Sequence, residues 1–283
     1  MAKQLLGKEV TAAMNEKIKA NVAKLQEKGI TPTLGIIRVG ERDDDISYER
    51  GATKRCETLG VAYEKFLLPQ DVAEEELLAV IDQVNKNDAI HGVLLFRPLP
   101  KHLNEEKIIN ALDFEKDVDG ITDGSMAGVF AGKKQGFPPC TPQGCMEILD
   151  HYGIDCTGKK AVVVGRSLVV GKPAAMMLIQ KNATVTICHT KTVDMPSVVK
   201  EADIVIVAAG RDGVIDGSYL REGQVVIDVG ININEEGKLC GDVKYDEAEK
   251  IVDAITPVPG GAGSVTTSVL VGHVVEAAMR KYL

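Results

Sequence analysis

Hydrophobic positions in the first third of the chain repeat with two periods, one typical of amphipathic helices and one typical of buried strands. In residues 8–29 the apolar side chains recur every three or four residues, which predicts a helix that ends at Gly29. The short apolar run TLGIIRVG (33–40) predicts a strand. A helical pattern at 71–87 and the run GVLLF (92–96) repeat this order. Such alternation predicts a parallel sheet covered by helices on both faces.

The same alternation resumes near residue 158. Short apolar runs separated by helical patterns are typical of a Rossmann-like series. The four predicted strands of this series are KKAVVVG (159–165), ATVTIC (183–188), DIVIVAAG (203–210) and GQVVIDVG (223–230).

A stretch rich in Gly and Pro, residues 120–145, lies between the two series and is the predicted hinge. The fold class is therefore predicted to be α/β with two domains. The first comprises residues 1–120, with the last helix, 266–283, packing back on it, and the second is a Rossmann-like domain at 121–265. A chain of 283 residues is long enough for two such domains.

Composition narrows the functional classes. The chain is 45% hydrophobic and 26% charged, as expected for a globular protein, and its net charge of −8 argues against non-specific nucleic-acid binding. We found no apolar run approaching the length of a membrane span, and MAKQLLGKEV lacks the apolar core of a signal peptide. A cytoplasmic location is expected.

Cysteine and histidine positions give no metal-binding pattern. The six cysteines form no CxxC pair and the five histidines are scattered, so reduced structural thiols and the absence of a metal site are expected.

The segment VVVGRSLVVGKP reads as a strand, a tight turn and a helix start. Its glycines, Gly165 and Gly171, do not form GxGxxG, and any strand-to-helix turn could give this pattern. Arg166 and Ser167, however, fall at the predicted helix N-terminus, where backbone N–H groups favour a phosphate. The next strand ends in Cys188-His189-Thr190-Lys191, without the carboxylate that usually holds the ribose of NAD. The combination favours NADP over NAD.

Several segments together resemble the methylenetetrahydrofolate dehydrogenase/cyclohydrolase (FolD) family over essentially the whole chain. The resemblance rests on SYERGATK, EKDVDG, FPPCTPQG, VVVGRSLVVGKP with ATVTICHTKT, VVIDVGIN with GKLCGDV, and ITPVPGGAGSVT. It implies an N-terminal α/β domain and a Rossmann domain flanking a cleft, and a homodimer. It also implies NADP-linked oxidation of 5,10-methylenetetrahydrofolate in one-carbon metabolism and purine biosynthesis, with tetrahydrofolate derivatives, polyglutamylated in the cell, as substrates.

The resemblance also implies roles for individual residues. Substrate contacts would come from Tyr48, Asp119, Pro259, Gly260, Gly261 and Gly263. Cofactor contacts would come from Thr141, Gly165, Arg166, Ser167, Gly171, Thr190 and Ile231. By themselves, three of these residues have simpler interpretations. Asp119 lies in a good turn sequence and could cap a turn or helix, Tyr48 could be half-buried packing, and Thr141 could be an N-cap.

Two positions depart from the family pattern at the catalytic face. The family has a lysine four residues after the tyrosine and a glutamine in the GVLLF segment, whereas this chain has Ala52 and Phe96. Lys54 points roughly 200° away from position 52 at about 100° per residue, so it cannot replace that lysine. Because the lysine is associated with the cyclohydrolase step, loss of that step is expected.

Alternatives remain open at this point. The chain could be a bifunctional enzyme in which Arg50, Lys54 or Arg97 compensates, or a folate- or nucleotide-binding protein without turnover. Ser264 and Val265 also replace the proline and methionine that the family tends to have, and nothing in the sequence explains that change.

Overall fold

A computed structural model describes residues 1–283, and the chain divides into two compact units. The six-stranded unit comprises residues 1–12 and 141–266, and the three-stranded unit comprises residues 13–140 and 267–283. The prediction of a two-part α/β fold is confirmed. These boundaries differ from those expected at residues 120 and 265. The contacts of segments 1–12 and 121–140, described below, explain the difference.

The three-stranded unit is built on a parallel sheet in the order β3-β2-β4. Its strands are β2 (Thr33–Val39), β3 (Ala62–Leu68) and β4 (Gly92–Leu95). Its helices are α1 (Gly7–Gln26), α2 (Asp43–Leu59), α3 (Glu74–Lys86), α4 (Glu105–Ala111), α5 (Asp123–Ala131) and the final helix, described below as α10. Helix α1 belongs to this unit only from residue 13 onward. The central strand β2 is buried almost throughout. Its inward side chains join those of β4, α3 and α4 in one apolar core.

Two elements of this unit were not predicted. Strand β3 is an edge strand whose side chains are mostly exposed, so its sequence AYEKFLL lacks a clear period. Helix α5 lies in the Gly-rich stretch that was expected to be the hinge. The segment 121–140 stays with this unit because Gly120 packs directly on Phe137–Pro139 and because Arg280 Nη1 donates to Gly136 O at 2.9 Å.

The six-stranded unit contains one parallel sheet in the order β1-β11-β8-β7-β5-β6. The strands are β1 (Lys3–Gln4), β5 (Lys160–Val164), β6 (Thr184–Cys188), β7 (Ile204–Val207), β8 (Val225–Asp228) and β11 (Ala254–Ile255). The helices are α6 (Cys140–His151, from residue 141), α7 (Gly171–Gln180), α8 (Met195–Lys200) and α9 (Tyr245–Ala248), and a small hairpin pairs β9 (Asn232–Ile233) with β10 (Leu239–Cys240).

Strand order in this sheet explains both the place of the N-terminus and the position of a ligand crevice. Residues 1–12 belong to this unit because β1 pairs with β11 at the sheet edge. From β5 the chain moves outward to β6 on one side and then to β7 and β8 on the other. The carboxyl ends of β5 and β7 therefore flank the topological switch point, where open α/β sheets bind ligands.

The last helix, α10 (Thr266–Tyr282), is long and apolar enough to cross a membrane by length and composition, which the sequence prediction did not anticipate. An 18-residue window within 262–282 has a mean hydropathy of 1.2, but 61% of that window is buried inside the protein. Val274, for example, lies so close to β4 that a Cβ at Gly92 would be 3.1 Å from it. The apolar character of α10 is that of a core helix.

His91, immediately before β4, is a buried histidine without full hydrogen bonding. Its Nδ1 accepts from the Thr33 N–H at 3.1 Å, whereas Nε2 has no partner and only 6% of the residue is exposed. Burial, reinforced by the charges of Lys281 and Lys116, lowers the pKa of His91 to about 4. The ring is therefore neutral in the folded protein at neutral pH.

This histidine should make the protein less stable in mild acid. An unfolded histidine titrates near pH 6.5, so between about pH 6.5 and 4 the unfolded chain binds a proton that the folded chain does not. We expect the free energy of unfolding to fall by on the order of 1–2 kcal/mol between pH 7 and pH 5 from this group. Urea unfolding at both pH values should show a smaller loss for His91→Gln. His151 is exposed, so His151→Gln is the matched control. The same loss of unfolding free energy between pH 7 and pH 5 in both variants would contradict the assignment.

Candidate functional site

In the three-stranded unit, helix α2 carries two of the predicted residues, Tyr48 and Ala52. The helix begins four residues after β2 and ends at Gly60, whose left-handed φ of 73° closes it. Asp45, Glu49, Ala52 and Cys56, spaced three or four residues apart, are all buried. Ala52 has 0% exposure, so the position of the missing lysine lies inside the protein.

Tyr48 lies on the same helix, half-buried, and packs against Phe96 at the end of β4. The two ring centroids are 6.0 Å apart and the planes meet at 83°, an edge-to-face arrangement. Burial, with the charge of Asp119 as the next cause, raises the pKa of the Tyr48 phenol well above its usual value. Tyr48 therefore stays protonated and presents an apolar ring beside a hydroxyl donor.

Asp119 is the ionisable group whose charge acts on Tyr48. It keeps partial solvent exposure, but the surrounding protein strips enough water from its carboxyl group to raise the pKa to about 6. The neighbouring Asp117 adds to the rise, while hydrogen bonds from Cys140 and the charge of Arg97 oppose it. A carboxyl group tuned in this way beside an aromatic ring is typical of a ligand site.

The capping role that the sequence left open for Asp119 falls mainly to Asp117. Its carboxylate accepts from the backbone N–H of Ile121 at 3.1 Å and from the N–H and hydroxyl of Thr122 at 2.8 and 2.7 Å. Asp119 itself contacts the thiol and backbone N–H of Cys140, the first residue of α6. Its remaining acceptor capacity is free for a ligand.

The candidate replacement cations lie in different places. Arg50 and Lys54 are exposed on the opposite side of α2 from Ala52. Arg97, half-buried next to Phe96, is the one whose charge acts on Asp119. The structure thus groups Tyr48, Phe96, Arg97 and Asp119, and leaves Arg50 and Lys54 outside the group.

In the six-stranded unit, the turn after β5 requires glycine. Gly165 has a φ of 131°, and a Cβ there would lie 2.2 Å from Ala208 O, in the segment after β7. A Cβ at Gly171 would lie 2.2 Å from Gly165 O. Ser167 Oγ accepts from the N–H groups of Val170 and Gly171 at 3.1 and 3.4 Å, which opens α7. The two glycines thus keep open a backbone cradle at the switch point.

The predicted phosphate-binding residues lie at one edge of this sheet. Val164 and Cys188 are paired at the carboxyl ends of β5 and β6, and Arg166 and Thr190 each follow two residues later in the chain. Both are exposed, and the segment 188–191 has no carboxylate. Thr141 lies within the first turn of α6, so it is not the residue that precedes that helix, and the N-cap interpretation is wrong.

A cavity of about 270 Å³ brings Ile231 together with the predicted substrate turn. Its lining includes Pro259, Gly260, Gly261 and Gly263. A Cβ at Gly261 would lie 2.4 Å from Pro257 O, so the turn needs this glycine. Ile231 is 66% exposed although it is apolar, as expected of a side chain that contacts a ligand.

Two buried aspartates that sequence reasoning did not single out organise the neighbouring loops. Asp242 accepts from the consecutive N–H groups of residues 209, 210 and 211 at 2.6, 2.8 and 2.9 Å. Asp228 accepts from the N–H groups of Gly230, Asp242 and Val243, and burial raises its pKa to about 6. Both lie in segments quoted for the resemblance, VVIDVGIN and GKLCGDV, which was the available signal.

Comparisons with known proteins give matches to both halves of the chain. The family described as tetrahydrofolate dehydrogenase/cyclohydrolase, catalytic domain, matches residues 5–119. The one described as tetrahydrofolate dehydrogenase/cyclohydrolase, NAD(P)-binding domain, matches residues 139–282.

Individual proteins are similar over almost the full length. The bifunctional protein FolD of Carboxydothermus hydrogenoformans is 55% identical over 279 residues, covering 98% of this chain and 97% of the relative. The crystal structure of the bifunctional FolD enzyme of Campylobacter jejuni has a TM-score of 0.96 at 38% identity and covers 99% of this chain and 100% of that one. The Trypanosoma brucei FolD structure, complexed with NADP cofactor and inhibitor, has a TM-score of 0.92 at 33% identity, covering 99% and 98%.

Proposed function

The chain belongs to the tetrahydrofolate dehydrogenase/cyclohydrolase family, and from this premise we propose that it oxidises 5,10-methylenetetrahydrofolate to 5,10-methenyltetrahydrofolate with NADP. The observation that carries the proposal is the grouping of Asp119 with Tyr48. The carboxylate can accept hydrogen bonds from the amino-pyrimidinone edge of a pterin, and the tyrosine ring can pack against the pterin and p-aminobenzoate rings. In this proposal Asp119 and Tyr48 are the folate contacts that the three-stranded unit supplies.

The six-stranded unit is the proposed NADP-binding domain. The cradle formed by Gly165 and Gly171 leaves room for a pyrophosphate at the switch point, and Ser167 fixes the turn. Arg166 and Thr190, which follow β5 and β6, would hold a 2′-phosphate. The residues therefore fit the cofactor, which supplies the hydride acceptor when bound.

The dehydrogenase step requires few catalytic groups from the protein. Removal of a hydride from the methylene bridge leaves a methenyl cation spread over two nitrogens, and no proton has to leave. The site therefore needs orientation of the substrate and no general base. Asp119 and Tyr48 would supply that orientation on the pterin side. Since the pKa of Asp119 is about 6, most of it is carboxylate, the form that accepts hydrogen bonds, at neutral pH.

We propose further that the cyclohydrolase step is weak or absent. Adding water to the methenyl cation and breaking a C–N bond requires a group that moves protons. Ala52 is buried and carries no such group, and Phe96 places an aromatic ring against Tyr48. The two departures make one side of the face apolar, which suggests a single lost function.

The bifunctional alternative has one observation in its favour. Arg97 is a cation whose charge acts on Asp119, and one bifunctional relative is 55% identical to this chain. An arginine remains protonated, so it could stabilise charge but would be a poor proton acceptor. A folate- or nucleotide-binding protein without turnover is a weaker alternative, because the glycine cradle is complete.

One assay tests the three functions. Methylenetetrahydrofolate and NADP are added to purified protein, and the methenyl chromophore is followed over time. Formation and persistence support the dehydrogenase alone, formation with enzyme-dependent decay supports the bifunctional enzyme, and absence of the chromophore contradicts both.

Cofactor choice gives a separate prediction. We expect kcat/KM to be higher with NADP than with NAD. The difference in transition-state free energy should be about 1.5–3 kcal/mol, the value of a charge-assisted contact to the 2′-phosphate. Arg166→Ala should lower kcat/KM with NADP and leave the value with NAD unchanged, which serves as the internal control. Arg166→Lys should retain part of the preference. Equal use of both cofactors by the wild type would contradict the assignment.

Strand β3 supports a proposal about assembly. As an exposed edge strand it offers unpaired backbone groups, and Leu67, 52% exposed, adds apolar surface. We propose that the protein is a homodimer that pairs through this edge. We also propose that it is cytoplasmic and acts on polyglutamylated folates, as the family resemblance implies. Light scattering should give twice the chain mass, and Leu67→Lys should shift it toward the monomer. A monomeric wild type would contradict the proposal.

A further inference from the structure

The carbonyl group of Val118, immediately before Asp119, receives two side-chain donors from distant parts of the three-stranded unit. Cys140 Sγ lies 3.3 Å from Val118 O, and His273 Nδ1 lies 2.8 Å from it. The two donors are themselves 4.0 Å apart. Cys140 is 1% exposed and His273 is 7% exposed, so neither contact competes with water.

Both groups are donors at neutral pH. Burial lowers the pKa of His273, so its ring is neutral, and Nδ1 must carry the proton because a carbonyl oxygen can only accept. Burial also raises the pKa of the Cys140 thiol well above its usual value, so the sulfur keeps its hydrogen. The single hydrogen of this thiol lies within reach of both Val118 O and the Asp119 carboxyl group, whereas the His273 N–H is committed to Val118 O, so the two residues hold the Val118–Asp119 peptide from its two sides.

The backbone on either side of Asp119 is held as well. Gly120 has a φ of 67°, and a Cβ there would lie 2.4 Å from Pro139 N, so this segment packs backbone to backbone. Asp117 holds the N–H groups of Ile121 and Thr122. With these contacts made, the orientation of the peptide between Val118 and Asp119 decides where the Asp119 carboxylate points.

The His273 ring is fixed by its own neighbours. It stacks on Phe137 with centroids 5.0 Å apart, and the Arg280 guanidinium lies 4.1 Å from the centre of the Phe137 ring. Arg280 also donates to Gly136 O at 2.9 Å. The ring that donates to Val118 O is thus packed on Phe137, which Arg280 of the same helix also contacts.

We infer that Cys140 and His273 are positioning residues that orient the Val118–Asp119 peptide so that the Asp119 carboxylate meets the substrate. The inference rests on the proposed function, because it assigns the reason for the geometry to substrate binding. Neither residue touches the substrate. Their loss should therefore act on substrate affinity through Asp119 and leave the cofactor site unaffected.

The test uses pairs of variants that keep or remove each donor. In Cys140→Ser and His273→Asn a hydroxyl and an amide N–H can reach Val118 O, whereas Cys140→Ala and His273→Leu have no donor. We expect the two donor-free variants to raise KM for methylenetetrahydrofolate roughly 5- to 10-fold, the usual effect of one hydrogen bond, with KM for NADP unchanged. The donor-keeping variants should recover most of the substrate affinity.

Several results would overturn the inference. One is an equal rise in KM for NADP, another is an unchanged KM for the folate, and a third is the same loss in the donor-keeping and donor-free members of each pair. Thermal melts and NADP titration establish that each variant is folded. Cys140→Ser and Cys140→Ala differ by a single atom. If His273→Leu does not fold, these two variants still test the inference. A wild type without turnover would defeat the proposed function, whereas an active wild type with insensitive variants would defeat this inference alone.

Discussion

Added 5,10-methenyltetrahydrofolate is expected to decay no faster, or only slightly faster, with the purified protein than in buffer at neutral pH. The reason is local. Ala52, on the buried face of α2, has no proton to transfer, and Phe96 closes the adjacent surface with a ring packed edge-to-face on Tyr48. Arg97 acts on Asp119 through its charge, and a guanidinium is a poor base.

Restoring the missing groups should create hydrolysis only when both are restored. Ala52→Lys alone places an ammonium group in a fully buried position, where desolvation disfavours the charge and the ring of Phe96 offers no hydrogen bond. Ala52→Lys with Phe96→Gln supplies both a titratable amine and a polar partner. Because general acid–base catalysis contributes about 10²- to 10⁴-fold, we expect the double variant to hydrolyse the methenyl compound at least tenfold faster than either single variant.

The control for this experiment is Ala52→Met with Phe96→Gln, which adds a side chain of similar length without the amine. Hydrolysis by this control would show that the wild-type reaction is limited by space or water access. Proton transfer by an amine would then not be the limiting factor. Robust decay by the wild type, proportional to enzyme concentration, would contradict the prediction. In that case Arg97→Leu identifies whether the neighbouring cation has taken over.

Asp119→Ala should abolish measurable turnover while the protein remains folded and binds NADP. A carboxylate that accepts two hydrogen bonds from the pterin contributes roughly 3 kcal/mol or more, which lowers kcat/KM for the folate by at least about 100-fold. If Asp119 were only a cap, the variant would instead lose about 1 kcal/mol of stability and keep its activity. Thermal melts, cofactor titration and steady-state kinetics on the same variant separate the two. A folded variant with unchanged turnover would remove Asp119 from the site.

The pH profile gives an independent measure of the same group. Since the pKa of Asp119 is raised to about 6 and the carboxylate is the binding form, kcat/KM for the folate should fall about tenfold per pH unit below that value. Arg97 opposes the rise in pKa, so Arg97→Leu should move the inflection to higher pH. An inflection that does not respond to Arg97→Leu would argue that another group titrates.

The sequence alone determined the alternation of strands and helices and, through its motifs, the family. Buried strands such as β2, β5 and β7 consist mostly of apolar residues, and a helix such as α3 repeats its apolar positions with the helical period, so both can be predicted from the local sequence. Strand β3 could not be predicted this way. Its conformation depends on pairing with β2, whereas its exposed side chains carry no burial pattern.

The tertiary structure alone decided which of two similar aspartates is available to a ligand. In EKDVDG both Asp117 and Asp119 are plausible turn caps, and only the fold directs Asp117 to Ile121 and Thr122. The donors on Val118 O come from Cys140 and His273, which are 133 residues apart in the chain. No local pattern encodes such a meeting, because hydrogen bonds between distant segments form only after the packing of helices has brought the donors together.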